Sequence, residues 1–190
     1  TIMGIEQYCL FRIGDAGFPL QQLQFSSPGE NKFPNADTGK LLQPSEWYHV
    51  AVVYDTEKKT AVIYVDGREQ SRIEDYGNGE PVNLGKQTRG KDFMFKIGHS
   101  YGDPDYMERQ LDGEICEVRV WNVARSQQEI FDNMYNIEDP ANTPGLQAYW
   151  KFNEGEGDIA KDYTGHGNDA KAYVKATWPA GIEVTQKNKE

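Results

Sequence analysis

Residues 46–67, EWYHVAVVYDTEKKTAVIYVDG, decide the fold. Two apolar runs, 47–54 and 60–65, flank a break of Asp55-Thr56-Glu57-Lys58-Lys59 that carries no apolar side chain. Val, Ile, Tyr and Trp fill both runs, and these residue types suit a pleated, half-buried surface. The break predicts a hairpin loop, and Asp66-Gly67 supplies the positive φ of a second tight turn. Along the first run Val50, Val52 and Tyr54 fall on one face, Ala51 and Val53 on the other, so the strand is expected to be covered on both sides. The β-branched density and the glycine-punctuated end argue against a helix. Trp47, Val50, Val52, Ile63 and Val118 are the expected core residues.

Outward from this hairpin the chain keeps the same character. Residues 8–13 predict a strand with Cys9, Phe11 and Ile13 on one face and Arg12 on the other. In 20–26, Leu23 and Phe25 share a face, and Gln22 and Gln24 share the opposite one. Residues 27–40 are rich in Pro, Gly and Asn and predict loop, and the polar, glycine-punctuated segment 71–91 predicts loop with at most short strands. Residues 93–98 read as a strand. Residues 114–122 read as a longer one, with Cys116, Val118 and Val120 opposed to Glu117, Arg119 and Trp121. Ser126 with Glu129 three residues on forms a capping box, and Ile130, Phe131 and Met134 give the following helix its apolar stripe. Strands are expected at 146–152 and 170–176, with ordered turns over 153–168. His49 is expected inside a buried strand as a hydrogen-bonded core residue. Many strands, one short helix and no βαβ rhythm predict an all-β antiparallel sandwich.

Composition narrows the function. The 190 residues carry a formal net charge of −10, which disfavours nucleic acid and anionic membrane as partners, since those are bound by Lys and Arg. Neutral glycans and cations such as calcium remain compatible. Mean hydropathy is −0.77, and no apolar run approaches the roughly 18 residues of a membrane span. Cys9 and Cys116 lie in strand-like runs without CxxC spacing, so two buried thiols or one inter-strand disulfide are expected, and zinc is not. One domain over 1–190 is expected, as the C-terminal part of a longer chain.

Four stretches together resemble one family: 46–67, FKIGHS at 95–100, LDGEICEVRVWNVARSQQEI at 111–130, and GLQAYWKFNEGEGDIAKDYTGHGNDAKA at 145–172. They look like the laminin-G-like, concanavalin A-like jelly-roll group found in surface proteins of gut Bacteroidetes. The resemblance implies a two-sheet jelly roll with a concave and a convex face. It also implies a carbohydrate- or protein-binding role at an extracellular or outer-membrane surface.

The same jelly roll hosts retaining glycoside hydrolases, which need two carboxylates about 5 Å apart. The strand with the nearest look offers Glu114, Cys116 and Val118 at alternate positions, with Glu117 on the other face, so catalysis of that kind is not expected. A sugar needs planar polar groups for its hydroxyls and an aromatic for its CH face. Arg12, Gln22, Gln24, Glu117, Arg119 and Trp121 would form such a face if their strands are neighbours. An internal ion-pair lattice, Arg12 or Arg119 with Glu117, is the competing reading. Tyr101, Tyr106 and Arg109 form a separate loop candidate. The turn-rich run from Asp158 to Asp169 offers oxygen ligands for Ca2+, with Asp162 and Asn168 as its candidate ligands. The same two residues cap turns in the alternative. A non-catalytic glycan-binding module is the expectation, with a protein-interaction sandwich and an atypical hydrolase as alternatives.

Overall fold

The decisive hairpin forms where the apolar runs put it. In the computed structural model, which describes residues 1–14, 19–27, 42–88, 93–100, 110–173 and 177–178, strand β4 is Val50–Asp55 and β5 is Thr60–Val65. They pair antiparallel from Val50 opposite Val65 to Asp55 opposite Thr60. Asp55 Oδ1 accepts the N–H groups of Glu57 and Lys58 and so closes the loop. Strand β6, Arg68–Ile73, follows the Asp66-Gly67 turn and completes a three-stranded sheet in the order β4-β5-β6. Both turn residues take positive φ, 50° and 69°, as the sequence requires.

The chain divides into two compact units that alternate along the sequence. The first holds Thr1–Asp112 with Arg125–Phe131; the second holds Gly113–Ala124 with Asp132–Glu190. The first unit contains a further sheet of β1 (Met3–Ile5), β2 (Cys9–Ile13), β3 (Leu23–Ser26) and β7 (Lys96–Ile97), in the order β3-β2-β1-β7 and antiparallel throughout. Phe25 from β3 meets Tyr54 from β4 and Tyr76, with ring centroids 5.8–6.2 Å apart, so these two sheets share an aromatic core. Ile5, Phe11 and Ile63 are fully or almost fully buried. On the opposite face of β5, Val62 and Tyr64 pack with Ala51, Val53 and Ile130. Ile130 belongs to helix α1, Gln127–Asp132. That helix starts on the predicted capping box: Ser126 N–H donates to Glu129 Oε2 at 2.8 Å, and Glu129 N–H donates back to Ser126 Oγ at 3.3 Å.

In the second unit β8, Val118–Trp121, pairs antiparallel with β9, Leu146–Trp150. A short pair, β10 (Ile159–Ala160) and β11 (Ala170–Lys171), encloses the turns between them. A core of Ile137, Leu146 and Tyr149 takes Trp121 and Tyr163 against it.

Four expectations need correction. Trp47 is not core: it is 50% exposed, because β4 starts at Val50 and the residues before it lie outside the sheet. Val50 and Val52 are half-buried, whereas Ile63 and Val118 are buried as expected. His49 stands one residue ahead of β4 and is half-buried, tied by its backbone to Asp66. The strand expected from 114 begins only at Val118, because Glu117 adopts a left-handed φ of 56° that a strand cannot contain. Strand β6 reaches Ile73, within the short strands allowed for 71–91, but it starts already at Arg68. Both cysteines are free; Cys9 is buried and Cys116 half-buried.

Candidate functional site

The register of β2 and β3 places Arg12 directly opposite Gln24, on the face away from Phe11 and Phe25. Arg12 Nε donates to Gln24 Oε1 at 3.2 Å. The polar face expected from alternation therefore exists, but it is covered: Gln24 is 0%, Gln22 6% and Arg12 7% exposed. Gln22 Oε1 and Gln24 Nε2 are buried without a hydrogen-bond partner among the described residues. Alternation tells which side of a strand a residue faces. Whether that side is open depends on what lies over it.

Glu117, Arg119 and Trp121 belong to the second unit and are brought together around Tyr149. Arg119 Nη2 donates to Glu117 Oε2 at 2.5 Å, and its Nη1 donates to the Met134 carbonyl at 3.1 Å. The Tyr149 hydroxyl donates to the same Glu117 carboxylate, and the Arg119 guanidinium lies 4.8 Å from the Tyr149 ring centroid. Burial, then the hydrogen bond to Glu117, pushes the Tyr149 hydroxyl up to about 12. Trp121 is half-buried against the Ile137, Leu146 and Tyr149 core. The ion-pair reading of Glu117 and Arg119 is the one the geometry favours. Glu114 is exposed ahead of β8. The one carboxylate held inside the cluster, that of Glu117, is already engaged by a cation and a phenol.

Asp162 and Asn168 are also brought together. Asp162 Oδ1 accepts from Tyr149 N–H at 3.2 Å, Thr164 N–H at 3.0 Å and the Thr164 hydroxyl at 2.7 Å; Oδ2 accepts from Asn168 N–H at 3.1 Å. Burial pushes this carboxyl up, but the bonds from Thr164, Tyr149 and Asn168 outweigh it and hold it below the ordinary range. The Asn168 main-chain carbonyl accepts from Trp150 Nε1 at 2.8 Å, and its side-chain Nδ2 donates to the Gln147 carbonyl at 3.0 Å. Asp162 thus serves the turn-capping alternative: an ion at its Oδ1 would have to displace three donors. Among the described residues no three His, Cys, Asp or Glu side chains converge as metal ligands. Tyr101, Tyr106 and Arg109 lie outside the described residues.

One concavity was not foreseen. Gly67, Arg68, Gln127, Gln128 and Phe131 line a hollow of about 230 Å³ in the first unit. The Asp66-Gly67 turn forms one wall and α1 the other. A Cβ on Gly67 would sit 2.7 Å from Phe131 Cδ2, so only glycine allows this approach. Gln127 Oε1 accepts the Glu69 N–H at 3.1 Å and fixes the helix to the strand.

Residues 3–131 match the concanavalin A-like lectin/glucanases superfamily, in its laminin-G-like form. The chain belongs to this superfamily. No curated protein matches it. Among solved structures, a candidate carbohydrate-binding protein from Bacteroides ovatus ATCC 8483 is 31% identical with a TM-score of 0.72; the match covers 92% of this chain but 49% of that one. The chain thus spans about half the length of that relative. An S-layer domain-containing protein from Clostridium thermocellum ATCC 27405 is 22% identical over 70% of this chain and 63% of that one, with a TM-score of 0.35, too slight a likeness to argue from.

Among the described residues this concanavalin A-like chain is mostly antiparallel strand with one short α-helix, in keeping with the all-β sandwich its sequence predicts. The superfamily contains both lectins and glucanases, so membership is compatible with binding and with hydrolysis. Among the described residues, no helix is long and apolar enough to cross a membrane.

Proposed function

We propose that this concanavalin A-like chain is a carbohydrate-binding module that holds glycan without cleaving it, in a cell-surface or secreted protein. The observation that carries the reading is the likeness to the Bacteroides ovatus candidate carbohydrate-binding protein, at 31% identity across 92% of this chain. The carboxylates support binding over hydrolysis: Glu117 is bound to Arg119 and Tyr149, and Glu114 is exposed outside β8. A retaining glycosidase needs a second carboxyl about 5 Å from its nucleophile.

A glycan array with the purified chain, followed by calorimetry on the hits, tests this. Binding without release of reducing sugar is the expected result. Turnover abolished by Glu114→Gln or Glu117→Gln, with folding intact, would make the chain a hydrolase instead. Silence across host and plant glycans would remove the carbohydrate reading in favour of a protein-interaction sandwich.

A further inference from the structure

We propose that the hollow between the Asp66-Gly67 turn and helix α1 is a subsite for a carboxylate-bearing sugar, a uronic acid or similar unit of an acidic glycan. The proposal rests on the carbohydrate-binding reading and names its ligand class and place. In a chain of net charge −10, an accessible guanidinium without an acid is out of keeping with its surroundings. Arg68 is exposed at the rim of the hollow, and among the described residues nothing pairs with its guanidinium.

The neighbouring acids are already committed. Glu69 is bridged to Arg72 at 2.5 Å. Glu129 is held by Ser126 in the capping box, with Arg125 3.9 Å away. Gln127 spends its carbonyl oxygen on the Glu69 N–H, while its amide nitrogen has no partner among the described residues. The site therefore presents donors: a forked guanidinium that matches a carboxylate in two parallel bonds, and an amide NH2 for a hydroxyl or ring oxygen. Phe131 adds an aromatic surface for the CH face of a sugar.

Size sets the scale of the ligand. A volume of about 230 Å³ lies below the ~300 Å³ at which drug-sized pockets begin, so one ring fits and a longer chain would run on over the surface. The walls are preformed. Gly67 is fixed against Phe131, and Gln127 is fixed to the strand, so the ordering on binding falls mainly on the Arg68 side chain.

The test is an array carrying galacturonate, glucuronate and sialic acid oligomers beside neutral glycans. Calorimetry with the best acidic oligomer and its methyl ester follows. The ester keeps the ring and removes the charge. Expected are binding of an acidic oligomer, a loss of about tenfold or more on esterification or in Arg68→Ala, partial retention in Arg68→Lys, and weakening as salt rises from low to high ionic strength. Arg68 is exposed and its side chain ties no element, so Arg68→Ala should keep the parent melting temperature, whereas Gln127→Ala also gives up the bond to the Glu69 N–H and should lower it slightly. If only neutral glycans bind, or if Arg68→Ala and Gln127→Ala both leave acidic-glycan affinity within twofold, the subsite is wrong and the carbohydrate reading stands. If no glycan binds, both fall together.

Discussion

Removal of the Asp162 carboxylate should unsettle the second unit by several kcal/mol. Asp162 is 3% exposed, and four donors converge on its two oxygens. Asp162→Ala orphans all four. Asn168 is exposed and recovers water, and the Thr164 hydroxyl can rotate. The Tyr149 and Thr164 N–H groups belong to residues 0% and 4% exposed and cannot recover. At ~1–3 kcal/mol for each buried donor left without an acceptor, the loss is about 4 kcal/mol. That is a large share of the 5–15 kcal/mol typical of a folded domain. Asp162→Asn keeps one acceptor for the three donors on Oδ1 but turns an NH2 on the Asn168 N–H, so it should cost about 1–2 kcal/mol. The pH dependence follows from the sign of the shift. The folded carboxyl lies below its ordinary range. Its contribution is therefore full above the unfolded value of roughly 3.9 and is lost as pH falls through the folded value. The advantage of the parent over Asp162→Asn should shrink below about pH 4. Urea denaturation read by tryptophan fluorescence is the assay, since the Trp150 indole N–H bonds the Asn168 carbonyl in the same turn. An Asp162→Ala transition within about 1 kcal/mol of the parent, or acid limbs that coincide for parent and Asp162→Asn, would refute the reasoning.

Three further outcomes are expected. Ser126→Ala should lose roughly 0.5–2 kcal/mol, measured by denaturation, because Ser126 Oγ caps the Glu129 N–H at the start of α1; an unchanged midpoint would mean the cap contributes nothing. Ile63→Ala should cost about 2–5 kcal/mol, since Ile63 is 0% exposed between two sheet neighbours, and a loss under ~1 kcal/mol would remove it from the core. Burial pushes the Cys9 thiol up to about 12, so iodoacetamide at pH 8 should label Cys116 first and Cys9 only after denaturant is added; equal native labelling would contradict the packing of β2.

The sequence and the structure agree where local chemistry is self-sufficient. Strand β5 runs over Thr60–Val65 as read, because a break without apolar residues bounds it on one side and Asp-Gly on the other. The capping box marks the start of α1 because both of its partners lie within one turn. Strand β6 escaped notice because its sequence REQSRI lacks alternation. The register slips between Ile63 and Tyr64, leaving Gln70 without an opposite residue, and this slip shifts the period. The candidate face was only half legible. Side-chain direction was right for Arg12 and Gln24, and the Glu117–Arg119 pair was foreseen as the alternative. The cover over Gln24 is tertiary and leaves no local trace. The hollow at Arg68 is harder still, since Gln127 reaches Glu69 across 58 residues. The one available signal was an arginine directly after Asp66-Gly67.

The irregularity in β6 has a consequence for crowding. In an unbroken strand Glu69 and Arg72 would face opposite ways, yet the slip at Gln70 sets them opposite Tyr64 and Val62, on one face, where they bridge at 2.5 Å. Among the described residues β6 has a partner on one side only. An outer strand with open N–H and C=O groups invites another chain to add itself. Here that edge is bent by the extra residue and lined with Arg68, Glu69 and Arg72, while the apolar β5 stays one strand inside. Copies packed densely side by side would thus meet charge and curvature instead of a template for fibrils. Replacing Glu69 and Arg72 by valine and deleting Gln70 would turn the same strand into a sticky border.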